Sequence, residues 1–292
     1  MQAVAVTEAI RHRKGFRLPR FLRRKSVRVA FGVLVVMLLV AFAGPFVTPR
    51  SPTALVGPPF ADPSGAFPLG TDYIGEDVLS RCLAGGSLLV LYAALATAIA
   101  YIIGGAVGLL AGYSRSVIDP ILMRIVDLLL AFPAIFLVLI LAARYGSGAD
   151  IVIIGIAFIH IPLIARIIRT ATLETSVRGY VEAALARGDS TVAILYREIL
   201  PNIAGPLSAD AGPRLTTSIL LIAALNFLGV GLAPPAPSWA GMINENIGGI
   251  ALNPWAVVAP AVLIAVLTVS INVVADGIAR SFGHSTEEVI RR

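Results

Sequence analysis

Residues 87–112 read SLLVLYAALATAIAYIIGGAVGLLAG, without a single charged side chain. Few environments accept such a run. It exceeds the roughly 20 apolar residues that carry a helix across a bilayer, a solvent in which ionised groups are costly. The rest of the chain has the same character, with 57% hydrophobic and 14% charged residues and a mean hydropathy of +0.87. A water-soluble domain of 292 residues cannot hide that much apolar surface, so the chain needs lipid.

Charge-poor stretches mark about six spans and an all-α integral membrane fold. The first covers 29–47 and closes on Gly44, Pro45 and Pro49. The second lies within 87–112, where Gly104, Gly105 and Gly108 have a spacing that suits close helix packing, or that reflects the ordinary tolerance of membrane helices for glycine. The third, 121–143, contains Pro133, and the fourth, 151–168, contains Pro162; both prolines predict kinks. The fifth covers 215–231 and the sixth 255–275, with Pro260 near its start. Between these two, Pro234, Pro235, Pro237, Trp239, Asn253, Pro254 and Trp255 read as an ordered loop with aromatic residues at the interface.

Arginine and lysine placement sets the orientation. Arg11, Arg13, Lys14, Arg17, Arg20, Arg23, Arg24, Lys25 and Arg28 precede the first span and place the N-terminus in the cytoplasm. Alternation then puts Arg115, the stretch 170–207 and everything after Asp276 on the same side, with Arg166, Arg169, Arg178, Arg187, Arg197, Arg280, Arg291 and Arg292. The other side keeps Arg50, Arg81 and Arg144 beside Asp62, Asp72, Glu76 and Asp77, which gives an N-in, C-in topology. Ala41-Phe42-Ala43 resembles a signal-peptide cleavage site, but the basic region before it is too long and the apolar run exceeds the usual length of about 7 to 15 residues. The net charge of +6 forms no stripe interleaved with aromatics, which argues against nucleic acid as a partner. The single cysteine, Cys82, excludes an internal disulfide framework or a cysteine-based metal centre and reads as a small buried thiol.

The loop between the fourth and fifth spans, 178–202, reads RGYVEAALARGDSTVAILYREILPN. It predicts a helix, a break at Gly188, a second helix capped by Asp189 or Ser190, and a stop at Pro201. Glu182, Ala183 and Ala184, with Gly188 and Leu200-Pro201 at their spacing, resemble the EAA loop of binding-protein-dependent ABC importer permeases, the element that docks on the ATPase. Glu198 stands where that pattern often has isoleucine. Further stretches resemble the C-type permease of dipeptide/oligopeptide (peptide/nickel) importers: 68–72 with Gly75 and 77–81, 111–113, Met123-Arg124 with Asp127, 226–231, Pro234-Pro235 with 237–239, Pro254-Trp255 and Asp276-Gly277. The resemblance covers 67–283, with departures at Glu76, where arginine is usual, Ile222, where glutamate is common, and Asn226, where serine is common.

This resemblance implies the type I ABC importer permease fold and a bacterial inner-membrane location. It divides the chain into a basic cytoplasmic tail (1–28), a first transmembrane helix (29–48), an extracytoplasmic segment (49–86), a core permease domain with five transmembrane helices (87–276) holding a coupling loop (171–207), and a cytoplasmic tail (277–292). The implied role is a pathway for short peptides delivered by an extracytoplasmic binding protein, with nickel or glutathione as alternative cargo. The implied partners are a homologous second permease, two cytoplasmic ATPases that hold the ATP and Mg, the binding protein and membrane lipid. No cofactor is expected in this chain itself. The coupling residues would be Tyr180, Glu182, Ala183, Ala184, Gly188, Leu200 and Pro201.

Polar residues in the spans carry their own expectations. Asp127 reads as a cap or a partner for Arg124, Asp210 and Arg214 as a local ion pair, and His160 as a buried, hydrogen-bonded histidine. Asn226 and Asn272 either bond across helices or line the pathway. In the external segment, 74–83 reads as a short interfacial helix, and Asp62 and Glu76 are candidate contacts for the binding protein, with a structural lid as the alternative. Neither lysine follows a glycine, so the chain lacks a Walker A sequence and is not expected to hydrolyse ATP. A secondary transporter driven by an ion gradient would show inverted repeats and a midplane ion site, and neither is legible.

Overall fold

A computed structural model describes residues 24–114, 116–231 and 236–290. The basic residues before Arg24, together with Arg115, Pro234, Pro235, Arg291 and Arg292, lie outside these. The described chain is helical, and no strand forms in it beyond two isolated bridges, Leu55 with Glu76 and Thr71 with Asp77. The helices are α1 (Lys25–Ala43), α2 (Val78–Ala84), α3 (Ser87–Tyr113), α4 (Ile118–Leu130), α5 (Ala134–Tyr145), α6 (Ala149–Ser176), α7 (Gly179–Ala186), α8 (Thr191–Ile194), α9 (Ala204–Phe227), α10 (Trp239–Asn246) and α11 (Trp255–Ile290).

Among the described residues four segments are long and apolar enough to cross a bilayer: Lys25–Phe46, Val78–Tyr113, Ala149–Ser176 and Trp255–Ser281. A fifth results if α4 and α5 form one span. These two helices meet at 79°, so the single kinked helix expected around Pro133 is instead a broken one. Pro133 lacks an N–H and adopts an extended ψ of 121° as the N-cap of α5, which ends one helical ladder and starts another. Pro162, by contrast, sits inside a continuous α6. The expected fifth span is helical over Ala204–Phe227, but Asp210, Pro213, Arg214, Thr216, Thr217 and Ser218 make its first two-thirds too polar for the same standard of apolarity.

The centre of the fold is the contact between α3 and α6. A β-carbon added at Gly104, Gly108 or Gly112 would lie 2.7, 2.6 and 2.6 Å from the carbonyl oxygens of Ile161, Ala165 and Arg169, respectively. Both sets step by four residues, so one glycine ridge lies directly on the backbone of the facing helix. This decides between the two readings of the glycines in favour of packing, and Gly112 extends the ridge by another turn. α9 and α10 close one side of this pair with α11, burying Ile219, Ile222, Leu225, Trp239 and Leu267 in one cluster. α1 is peripheral and rests mainly on α11.

Ion pairs pin α4 to α6. Asp119 accepts two hydrogen bonds from Arg169, at 2.5 and 2.6 Å. Asp127 pairs with Arg166 at 2.5 Å, not with its helical neighbour Arg124 as expected, because its side chain lies toward α6. The Asp210–Arg214 pair forms as expected, at 3.0 Å.

Candidate functional site

At the end reached by α3, α6 and the start of α9, the loop of α7 and α8 projects as a separate small unit. α7 ends in a Schellman closure: Gly188 N–H donates to Leu185 O at 3.0 Å and Asp189 N–H to Ala184 O at 3.1 Å. The closure requires a left-handed residue, and Gly188 has φ +82. Open space surrounds the position where its β-carbon would be, so backbone conformation rather than crowding demands glycine. Ser190 then caps α8 by accepting from Ala193 N–H at 3.3 Å, while the Asp189 carboxylate accepts from Arg187 at 2.8 Å. After α8 the chain widens into a π turn, Leu195–Ile199, in which Leu200 N–H reaches Leu195 O at 2.8 Å. Pro201, which has no N–H to donate, ends it.

The loop has two faces. Val181, Ala184, Ile194, Leu195, Ile199 and Ile203 are buried and join it to α6. Glu182, Ala183, Gly188 and Pro201 are exposed, as are Tyr180, Leu185, Val192 and Tyr196, and Leu200 is half-buried. The residues singled out in the sequence therefore fall on both sides: Ala184 belongs to the inner face, while Tyr180, Glu182 and Ala183 belong to the outer. Glu198 is half-buried, 3.6 Å from Arg187, and ties the π turn back to the end of α7. Val192 and Tyr196, four apart, are large apolar residues on the outer face that the sequence reading passed over; their helical spacing was the available signal.

At the opposite end the segment between α1 and α2 folds down on α10. Arg81, 4% exposed, bridges Asp72, Glu76 at 2.7 Å and Glu245 at 2.8 Å. Asn246 Oδ1 accepts from Tyr73 N–H at 2.9 Å, Asn253 donates to Leu69 O and Thr71 O at 3.0 and 2.9 Å, and Trp239 Nε1–H donates to Cys82 O at 2.6 Å. The segment is thus a latched cap. Glu76, expected to be a surface contact, is instead only 5% exposed and held by Arg81. Burial raises its carboxyl above the usual range, Arg81 opposes this, and Asp72 adds to it. Asp62 remains exposed. The expected interfacial helix is shorter, Val78–Ala84, because Asp77 is its N-cap, with Oδ2 accepting from Ser80 N–H at 3.0 Å. Glu245 was not singled out in the sequence: nothing local distinguishes it, and its meaning comes from Arg81, 164 residues away.

Between the two ends lies a polar seam. Tyr101 donates to Asp210 at 2.8 Å, Arg214 completes the pair, and Thr97 and Ser218 are 2.9 Å apart. His160 is fully buried, as expected, but neither ring nitrogen has a partner among the described residues. Asn226 is buried and reaches Ser238 at 3.4 Å, across from α9 to the start of α10. Asn272 is half-buried and donates to Thr268 O within its own helix.

Residues 104–285, which hold the glycine ridge, the projecting loop and the Asp210–Arg214 pair of the polar seam, match the family described as the binding-protein-dependent transport system inner membrane component. The chain belongs to this family. It is a multi-pass permease of the bacterial inner membrane. The permease is 34% identical over 262 residues to the glutathione transport system permease protein GsiD of Pectobacterium atrosepticum, covering 89% of this chain and 87% of that one. It is 35% identical over 259 residues to the di/tripeptide transport system permease protein DppC of Pseudomonas aeruginosa, covering 85% and 86%. Its fold matches a chain of the MetNI methionine ABC transporter in an inward-facing conformation, with a TM-score of 0.58 at 21% identity, over 69% of the permease and 96% of that chain. The type I ABC importer permease fold is thereby established, and a permease of this family is the membrane component of its system, not the catalytic one.

Proposed function

We propose that this permease forms, with a homologous second permease, the translocation pathway for short peptides delivered by an extracytoplasmic binding protein, and that two cytoplasmic ATPases holding ATP and Mg drive it. The observation that carries this reading is the projecting loop: an outward face with Tyr180, Glu182, Leu185, Val192 and Tyr196, on a unit whose inward face is buried against α6. A large apolar face beside a carboxylate, on an element that stands out from a membrane protein, suits a protein partner with a basic groove. The relatives named for di/tripeptides and glutathione support peptide cargo, glutathione being itself a short peptide, and the glutathione relative makes that tripeptide the first alternative.

Two experiments test the reading. Glu182→Ala combined with Gly188→Leu is expected to leave an inserted permease that no longer retains the ATPases on purification. In liposomes, this chain alone is expected to take up no peptide with or without ATP, while the full set with its binding protein takes up peptide only with ATP. Gradient-driven uptake by the chain alone would replace the importer with a secondary transporter.

A further inference from the structure

We propose that the groove between α1 and α11 binds one acyl chain of an anionic phospholipid, with its phosphate held at Lys25. The groove, about 600 Å³, is walled mainly by Val29, Ala30 and Val33 of α1 and by Val266, Val269 and Val273 of α11, with smaller residues between them. It exists because α1 touches the bundle along a narrow line. Only 17% of its apolar window is buried, against 44 to 50% for the other single spans, and Val27 pins its first turn to Gly277, where a β-carbon would come within 2.7 Å of the valine side chain. Beside that contact the two helices part, leaving Val29 and Val269 66% and 61% exposed.

The mouth of the groove carries the charge. Lys25, Val29 and Val33 follow one another at intervals of four, so Lys25 stands one turn below the groove wall, at the cytoplasmic end where the positive-inside pattern puts it. Arg24 and Arg28 are exposed in the same turn, and on α11 the nearest carboxylate, Asp276, lies three residues beyond Val273. The mouth is therefore basic on balance. A lysine there extends its ammonium to the headgroup layer while its stem covers apolar surface, and basic groups between helices on this side attract anionic headgroups. A phospholipid is the ligand with both parts in this order: an apolar chain that can lie along the groove and a phosphate at its end. Ser26, Ala265 and Ser270 also line the groove, but a helix of a second permease fits less well, since the positive-inside pattern would bring another basic cytoplasmic end against Lys25, Arg24 and Arg28.

The test uses the complete importer, extracted in mild detergent from membranes containing phosphatidylethanolamine, phosphatidylglycerol and cardiolipin, with retained lipid counted by mass spectrometry. The expected result is phosphatidylglycerol or cardiolipin enriched over phosphatidylethanolamine. Lys25→Glu should reduce that enrichment about tenfold or more and Lys25→Arg should preserve it. Ala30→Phe, which fills the groove, should release the lipid without changing the charge. If Ala30→Phe fails to assemble, the exposed Lys25 position decides alone. Equal retention of zwitterionic and anionic lipid, enrichment indifferent to Lys25→Glu, or a crosslink from Val266→Cys to the second permease would each overturn the proposal.

Discussion

Gly108 and Ala165 lie so close that a β-carbon on the glycine would be 2.6 Å from the alanine carbonyl oxygen. Backbone cannot yield there as a flexible side chain would. Gly108→Val is therefore expected to force α3 and α6 apart and to cost about 1–3 kcal/mol, with more if Gly104 is changed as well. Thermal unfolding of the detergent-purified complex measures this. A melting temperature unchanged in the double variant would show that the ridge does not hold the two helices.

The same kind of substitution at Gly188 should act differently, because conformation and not space is the constraint. Gly188→Ala is expected to strain the turn by about 1–2 kcal/mol, Gly188→Val by more, and Gly188→Asn by the least of the three, since asparagine tolerates the left-handed region. ATPase retention should follow that order, Asn above Ala above Val, while the amount of inserted permease stays constant. A ranking by side-chain size alone would point to a steric role instead.

In the external cap, Arg81 is the counterion for three carboxylates. Arg81→Met should cost about 3–5 kcal/mol, since it leaves them buried and unpaired. The Glu76 carboxyl is raised above 4.5, so the folded cap holds a proton that the unfolded chain releases. Its contribution is complete below 4.5 and is lost as pH rises through the raised value. Glu76→Gln should remove that slope and stabilise the cap at neutral pH. Protection of the Tyr73 and Trp239 amides against hydrogen exchange, followed from acid to neutral pH, reads both effects.

The Asp210 carboxylate draws on both Tyr101 and Arg214. Tyr101→Phe removes one hydrogen bond to a charged group, about 1.5–3 kcal/mol, whereas Arg214→Ala leaves a carboxylate within the bundle without its counterion and should cost more. The double variant Asp210→Asn with Arg214→Gln should be less harmful than Arg214→Ala alone. Denaturation of the three proteins in the same detergent gives the order, and strictly additive losses would show that the groups do not act as a unit.

Much of this was legible in the chain because the bilayer imposes local rules. Length and apolarity mark 29–47, 87–112 and 255–275 whatever they pack against, and the break at Gly188 follows from one residue and its neighbours. Pro133 was legible as a disturbance but not as a 79° break, because α4 is held to α6 by Asp119–Arg169 and Asp127–Arg166, pairs that only the position of α6 creates. The polarity of α9 hid its full length for the same reason: Asp210 and Arg214 look like an end to a span until Tyr101 is seen to meet them.

The sequence by itself determined that this chain lives in a membrane, where its long apolar helices lie, and that a two-helix loop with a glycine turn interrupts them, while the charge pattern predicts which way they run. Each of these depends on hydropathy, charge or backbone freedom within a few tens of residues. Tertiary structure alone decided that the glycines of α3 meet the carbonyls of α6, that Glu76 is buried, and that Glu245 matters at all. Those facts depend on which distant groups share a site, and for a buried charge the partner, not the residue type, sets whether it is exposed, paired or protonated.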